Sequence, residues 1–130
     1  MRAFVLLSPP FVPSRESVEW TIRTVQYALR QEVDVVSIIP LRSSSGEMER
    51  LAAAGHFELP TVEMLERSLC GSLASADATV LADLWDSESL RGCNRCRAAR
   101  IENLRGMNET GIASPPVTCE RCVSEVPGGE

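Results

Sequence analysis

The sequence predicts an α/β fold with a parallel sheet, followed by a small cysteine-rich tail. Two continuous apolar runs flank a segment of helical periodicity, and strand and helix patterns alternate to about residue 86. Beyond that point aliphatic residues become scarce and cysteine pairs appear. Alternating strands and helices are typical of a parallel sheet covered by helices. We therefore expect βα units over residues 1–86, a metal-binding knuckle tail over 87–125 and a disordered end over 126–130.

The N-terminal region predicts a strand–helix–strand unit. Residues 3–7 form an apolar run of the kind found in strands buried on both faces, and Pro9 ends it because proline cannot donate to a ladder. A helix over 15–31 follows, with Ser14 as its N-cap. Its apolar stripe, at spacings of four, three and four, comprises Val18, Ile22, Val25 and Leu29. Residues 33–39 predict a second buried strand, which a right-handed crossover would place beside the first.

Further elements are expected downstream. A short helix over 47–54 should end at Gly55, a favourable residue just past a helix end. Thr61 should cap the next helix, whose stripe comprises Val62, Leu65, Leu69 and Leu73. Residues 79–84 predict a third, weaker strand, and a helix over 97–107 should lie between the cysteine pairs. A sheet of two or three parallel strands has unpaired edges and an uncovered face, so we expect a larger N-terminal part to be missing.

Composition narrows the class of protein. The chain has 130 residues and a net charge of −5, which disfavours broad electrostatic binding to nucleic acid or anionic membrane. No stretch approaches the roughly twenty apolar residues that span a bilayer, and the N-terminal apolar run is too short for a signal peptide. We expect a cytoplasmic protein with reduced cysteines. Five arginines lie close together, as a solvated face or as a patch for RNA or another anionic partner: Arg91, Arg95, Arg97, Arg100 and Arg105.

The cysteine spacing carries the strongest chemical signal. Cys93 and Cys96 form one C-x2-C pair, and Cys119 and Cys122 form a second pair 22 residues later. Two such pairs supply the four thiolates of a tetrahedral structural zinc site. The alternatives are an iron–sulfur cluster on the same thiolates, or redox-active or unligated cysteines. A catalytic zinc is disfavoured, because four sulfur ligands leave no open position for water.

Other chemistry-bearing residues give little signal. Cys70 is expected to be a small buried hydrophobe, and the single histidine, His56, to be incidental in a connector. Neither a Ser/His/Asp set nor a Walker loop nor a GxGxxG motif occurs in the sequence. The residues alone therefore identify no reaction.

The order of several segments resembles the last βα units of radical SAM proteins, closest to the Elongator-like and archaeosine-related group. The segments are residues 4–10, Glu19-Trp20, 35–40, 49–57, Pro60 with the helix to Leu73, 83–86, the first cysteine pair, Arg100, Met107-Asn108 and the second cysteine pair. The resemblance implies that residues 1–86 are the C-terminal βα units of a partial parallel βα barrel. It also implies a [4Fe–4S] cluster and S-adenosylmethionine in the complete enzyme. This chain has no CxxxCxxC cluster motif, so we expect it to be inactive alone.

The resemblance also implies a cofactor site. Active sites of such barrels lie at the C-terminal ends of the strands, which here are Ser8 and the segment Pro40, Leu41 and Arg42. These residues would lie near the cofactor adenine or the substrate, although Arg42 as a solvent-exposed loop residue is the alternative. The implied partner is a missing N-terminal barrel half, from the same gene or a split gene, and the possible substrate is RNA or tRNA. The alternative function is a standalone zinc-binding module that engages RNA or protein, and a third is an inactive remnant held together by its metal.

Overall fold

A computed structural model describes residues 2–7, 14–40, 60–74, 79–85, 87, 90 and 92–120. Three strands and three helices occur within this part of the chain. In order they are β1 (Arg2–Leu7), α1 (Ser14–Leu29), β2 (Val35–Pro40), α2 (Val62–Ala74), β3 (Thr79–Ala82) and α3 (Arg97–Thr110). No helix among these is both long enough and apolar enough to cross a bilayer.

The strands form one sheet in the order β1-β2-β3, and both neighbouring pairs are parallel. Val5 is registered with Ile38, and Ile38 with Ala82, so these three side chains point to the same face. The predicted α/β class and parallel sheet are confirmed. The closure of this sheet into a barrel stays a prediction.

The two faces of the sheet differ. On one face the strands present buried apolar side chains, namely Val5, Leu7, Val36, Ile38, Val80 and Ala82. Both α1 and α2 pack on this layer and against each other, as expected when the strand order advances in one direction through right-handed crossovers. On the opposite face Phe4 is 62% exposed and Leu6 is 42% exposed. The helices therefore cover one face of the described sheet.

The predicted stripes of the helices form the core. In α2, Val62, Leu65 and Leu69 are fully buried, and Thr61 Oγ1 accepts a hydrogen bond from the Met64 backbone N–H at 3.1 Å, which confirms the cap. In α1 the stripe is less complete. Val25 is fully buried, and Val18, Ile22 and Leu29 are half-buried. Ser17 and Thr21 are fully buried instead, so the inward face of α1 is rotated toward these small hydroxyl side chains.

Element ends differ from the predictions where the backbone turns. β2 begins at Val35 rather than at residue 33, because Glu32 adopts a left-handed φ of 64° in the turn that precedes it. β3 ends at Ala82 rather than at residue 84. α3 continues to Thr110, and Gly111 ends it with a φ of 71° and a hydrogen bond from its N–H to the Met107 carbonyl. The predicted helix over 47–54, Gly55, His56 and the segment 126–130 lie outside the described residues.

The outer edge of β3 is closed by a side chain of α3. The Ala82 backbone N–H donates to Asn108 Oδ1 at 2.9 Å, and Asn108 Nδ2 donates to the Ala82 carbonyl at 3.0 Å. The amide thus reproduces at one position the hydrogen bonds that a further strand would make. It ties the C-terminal part of α3 to the sheet, while Arg100, nearer the start of that helix, contacts Glu66 of α2.

Candidate metal centre

Three of the four predicted ligands lie together at the start of α3. Cys96 is the N-cap residue of α3, Cys93 precedes it in a tight turn, and Cys119 returns to both after the segment that follows the helix. Their sulfur atoms all lie within 4.8 Å of one another, and the Cys93 and Cys119 Sγ atoms are 3.9 Å apart. Cys122 lies outside the described residues. The predicted convergence of the two cysteine pairs is thus borne out for three thiols, which can hold a metal ion.

The sulfur spacing separates metal ligation from a disulfide. Four thiolates at Zn–S bonds of about 2.3 Å in a tetrahedron lie about 3.8 Å from each other. A disulfide requires sulfurs about 2.05 Å apart. The 3.9 Å between Cys93 and Cys119 therefore matches two ligands of one ion. Cys96 and Cys119 are buried and Cys93 is half-buried, so the site is largely shielded from solvent.

Arg97 organises the first cysteine turn. Its guanidinium donates to the Leu90 carbonyl, to the Gly92 carbonyl at 3.2 Å and to Asn94 Oδ1 at 2.9 Å. Gly92 has a φ of 144°, and a Cβ there would lie 3.0 Å from Val62 Cγ1 at the start of α2. Only glycine fits this conformation and this close approach without strain. The turn is thereby held against the α/β layer.

A buried arginine contacts one of the candidate ligands. Arg100 Nε donates to Cys96 Sγ at 3.0 Å, and Arg100 Nη1 donates to Glu66 Oε1 at 2.5 Å. Arg100 is 2% exposed and Glu66 is fully buried. Hydrogen bonds to a thiolate sulfur favour its charged form, which is the form that binds metal. The start of a helix also favours negative charge, so the environment of Cys96 suits a metal thiolate.

The second oxygen of Glu66 holds the returning segment. Glu66 Oε2 accepts from Asn103 Nδ2 at 2.8 Å and from the Val117 backbone N–H at 2.9 Å. Asn103 Nδ2 also donates to the Pro115 carbonyl at 3.0 Å. These bonds guide the chain from the end of α3 back to Cys119.

No protein-family model, no curated protein and no solved structure matches this chain.

Of the four residues of the implied cofactor site, Pro40 alone lies within the described part of the chain. Pro40 is buried at the end of β2, where it is registered with Leu7. Ser8, Leu41 and Arg42 lie outside the described residues. A site for S-adenosylmethionine at these strand ends stays a prediction.

Sequence reasoning missed Glu66 and Asn103, and it placed the arginines on a solvated face or in a patch for RNA or another anionic partner. Arg95 and Arg105 are exposed, and Arg105 pairs with Glu102 at 2.9 Å, whereas Arg97 and Arg100 donate hydrogen bonds within the site. A signal for Glu66 was present in the sequence, because this charged residue falls within the predicted apolar stripe of α2. A charge within such a stripe indicates a buried partner.

Proposed function

We propose that Cys93, Cys96, Cys119 and Cys122 bind one structural zinc ion that folds the tail against the α/β layer. The grouping of three cysteine sulfurs within 4.8 Å of one another carries this proposal. Each iron of a four-cysteine cluster holds at most two of the thiolates, so three thiolates of a cluster do not share one atom. Three sulfurs within 4.8 Å suit a single ion. A fourth thiolate would complete a closed tetrahedral site, which stabilises structure and offers no position for a substrate.

A matched pair of cysteine variants tests the zinc site. The protein purified under reducing conditions should contain one equivalent of zinc by elemental analysis. Cys96→Ser should lower the zinc content well below one equivalent. Cys70→Ser is the control, because Cys70 lies half-buried on α2 and is not one of the clustered thiols. A wild-type protein without zinc, or a Cys96→Ser protein that retains a full equivalent, would contradict the proposal.

For the whole chain we propose that it supplies the last βα units of a radical SAM enzyme, with a structural role in the barrel. The single direction of the strand order and the placement of both helices on one face support this, because barrels are wound in this way. The exposed apolar side chains Phe4 and Leu6 lie on the face that would point into the barrel. Asn108 occupies the β3 edge, so further strands would join at β1.

The catalytic cluster would have to come from another part of the enzyme, since the chain lacks a CxxxCxxC motif. The direct test is to translate the genomic DNA upstream of the Met1 codon. We expect an in-frame CxxxCxxC motif about 150–250 residues upstream, a distance set by the size of such barrels. A stop codon immediately before Met1, with no such motif in a neighbouring gene, would overturn the proposal.

The alternative, a standalone zinc-binding module that engages RNA or protein, draws less support from the arginines. Arg97, Arg100 and Arg105 donate to groups within this chain. A module of this kind should bind single-stranded RNA with an affinity that falls steeply with salt. We expect no such salt-dependent binding, measured by fluorescence anisotropy between 50 and 200 mM salt, the range over which six phosphate contacts on a single strand would weaken binding by about 300-fold.

A further inference from the structure

The buried carboxylate of Glu66 accepts hydrogen bonds from both chain segments that carry the clustered cysteines. Glu66 Oε1 accepts from Arg100, which itself donates to Cys96 Sγ. Glu66 Oε2 accepts from the Val117 backbone N–H, two residues before Cys119. A single side chain of α2 thus determines where the flanks of two different metal ligands lie.

The same carboxylate belongs to the core layer of the fold. On α2 it lies between Leu65 and Leu69, both fully buried against the sheet. A buried charge is costly to remove from water and is retained where it is well paired and hydrogen-bonded. The Glu66 carboxylate accepts hydrogen bonds from three donors: the guanidinium of Arg100, the side-chain amide of Asn103 and the backbone N–H of Val117. Its position is therefore tightly defined before any metal is considered.

We infer that Glu66 and Arg100 are positioning residues that couple metal binding at the cysteine site to docking of the tail on α2. This inference rests on the proposed metal site. The metal would fix the position of Cys96 relative to Cys119. Glu66 fixes the position of Arg100, four residues after Cys96, relative to Val117, two residues before Cys119. Each constraint holds the chain in the geometry that the other requires, so each lowers the conformational entropy that the other must overcome. The coupling must then be reciprocal: docking strengthens metal binding, and metal strengthens docking.

Cobalt(II) titration of the reduced protein tests the first direction, because tetrahedral cobalt thiolates have visible absorption bands that report ligand geometry. Glu66→Gln should weaken cobalt binding by about 10- to 100-fold, the range for loss of a group that orients metal ligands. Arg100→Lys should also weaken it and should shift the cobalt bands, because lysine lacks the fork that reaches sulfur and carboxylate together. Glu102→Gln is the matched control, since Glu102 is an exposed glutamate of α3 whose carboxylate pairs with Arg105, and the substitution should leave affinity and spectrum unchanged.

A double variant keeps the test meaningful if Glu66→Gln fails to fold. Glu66→Gln with Arg100→Met removes both buried charges and leaves an amide oxygen to accept from Asn103 and Val117. Helical circular dichroism should show that it folds, yet its cobalt affinity should remain at least tenfold below wild type. A folded double variant with wild-type affinity and an unshifted spectrum would overturn the inference.

Hydrogen exchange tests the other direction. In the wild type, adding a chelator should speed exchange of the Val117 amide and of the amides around Glu66 in α2. In Glu66→Gln the chelator should change exchange in α2 much less, because the link is already broken. Equal chelator effects in both proteins would contradict the inference. If the wild-type protein bound no cobalt at all, the metal proposal itself would fail, an outcome distinct from either result above.

Discussion

The side-chain amide of Asn108 makes two hydrogen bonds with the backbone of Ala82, one in each direction. Asn108 Oδ1 accepts from the Ala82 N–H at 2.9 Å and Asn108 Nδ2 donates to the Ala82 carbonyl at 3.0 Å. One side chain of α3 thereby satisfies both the N–H and the carbonyl of Ala82. This residue lies on β3, which has no neighbour on that side among the described strands. An edge protected in this way resists pairing with other chains.

Replacing this amide should destabilise the fold. Asn108→Ala leaves the two Ala82 backbone groups unpaired in a half-buried setting, and we expect a loss of about 1–3 kcal/mol in the free energy of unfolding. Chemical denaturation of the zinc-loaded protein measures it. Glu109→Ala, at the exposed neighbouring position of α3, should change stability by less than about 0.5 kcal/mol. Equal effects of the two substitutions would show that the Asn108 amide contributes nothing to the sheet edge.

Arg97 should control how long the metal stays bound. Arg97→Ala removes the donor to the Gly92 carbonyl and to Asn94 Oδ1, so the turn that carries Cys93 loses its internal support. We expect zinc transfer to a chromogenic chelator to become about tenfold faster. Arg105→Ala is the control, because the exposed pair of Arg105 with Glu102 contributes little. An unchanged transfer rate in Arg97→Ala would mean that the turn is held by the metal alone.

Two helical glycines should respond differently to alanine. A Cβ at Gly71 would lie 2.4 Å from Ile22 Cδ1, whereas a Cβ at Gly106 meets no atom within 4 Å. Gly106→Ala should therefore stabilise the protein by up to about 1 kcal/mol through helix propensity. Gly71→Ala should stabilise it clearly less, because the terminal methyl group of the half-buried Ile22 must move aside and this offsets part of the gain.

A second substitution checks the cause at Gly71. In the background of Ile22→Val, which removes the Cδ1 atom, Gly71→Ala should be clearly more favourable for stability than in the wild type. This non-additivity in thermal or denaturant unfolding is the expected sign of direct contact. Additive effects would place the cost elsewhere in α1 or α2.

Free metal concentration should set the stability of the whole chain. If zinc binds the folded state alone, it raises the free energy of unfolding by RT ln(1 + [Zn]/Kd). This gain is about 4 kcal/mol when free zinc is at a thousand times Kd. Denaturant unfolding in metal buffers should show this slope for the wild type and for Cys70→Ser. Cys96→Ser should give a nearly flat line. A flat line for the wild type would show that the tail folds independently of metal.

The sheet, the helices and the convergence of the cysteines were predictable because they depend on local patterns. Apolar runs define β1 and β2, and the stripe from Val62 to Leu73 defines α2, since burial of a periodic face decides the element. The spacing of two C-x2-C pairs predicted the close approach of Cys93, Cys96 and Cys119, because ligands of one ion must meet. These features need no knowledge of which element lies beside which.

The polar links were beyond prediction because they join residues far apart in the chain. Glu66 and Arg100 are separated by 34 positions, and Asn108 and Ala82 by 26. Such pairs depend on how α3 packs against α2 and against β3, which periodicity does not contain. The arginines illustrate the consequence: a cluster in sequence suggested a charged surface, and packing turned Arg100 inward to a carboxylate.

Residues of α3 and its N-cap make contacts in three places: the cysteine site, Glu66 of α2 and the edge of β3. This limits how the sequence of the helix can change during evolution. α3 carries Cys96 at its start, then Arg100, Asn103 and finally Asn108 at the sheet edge. Each residue inserted between the first and last of these would rotate everything after it by about 100° and separate at least one attachment. Insertions between Gly111 and Pro115 carry a smaller penalty, because they precede the held residues Pro115 and Val117 and loops tolerate changes in length. Homologues should therefore keep the spacing Cys-x2-Cys-x3-Arg-x2-Asn-x4-Asn unchanged while the distance to the second cysteine pair drifts, so this spacing is the signature by which distant members of the lineage can be found.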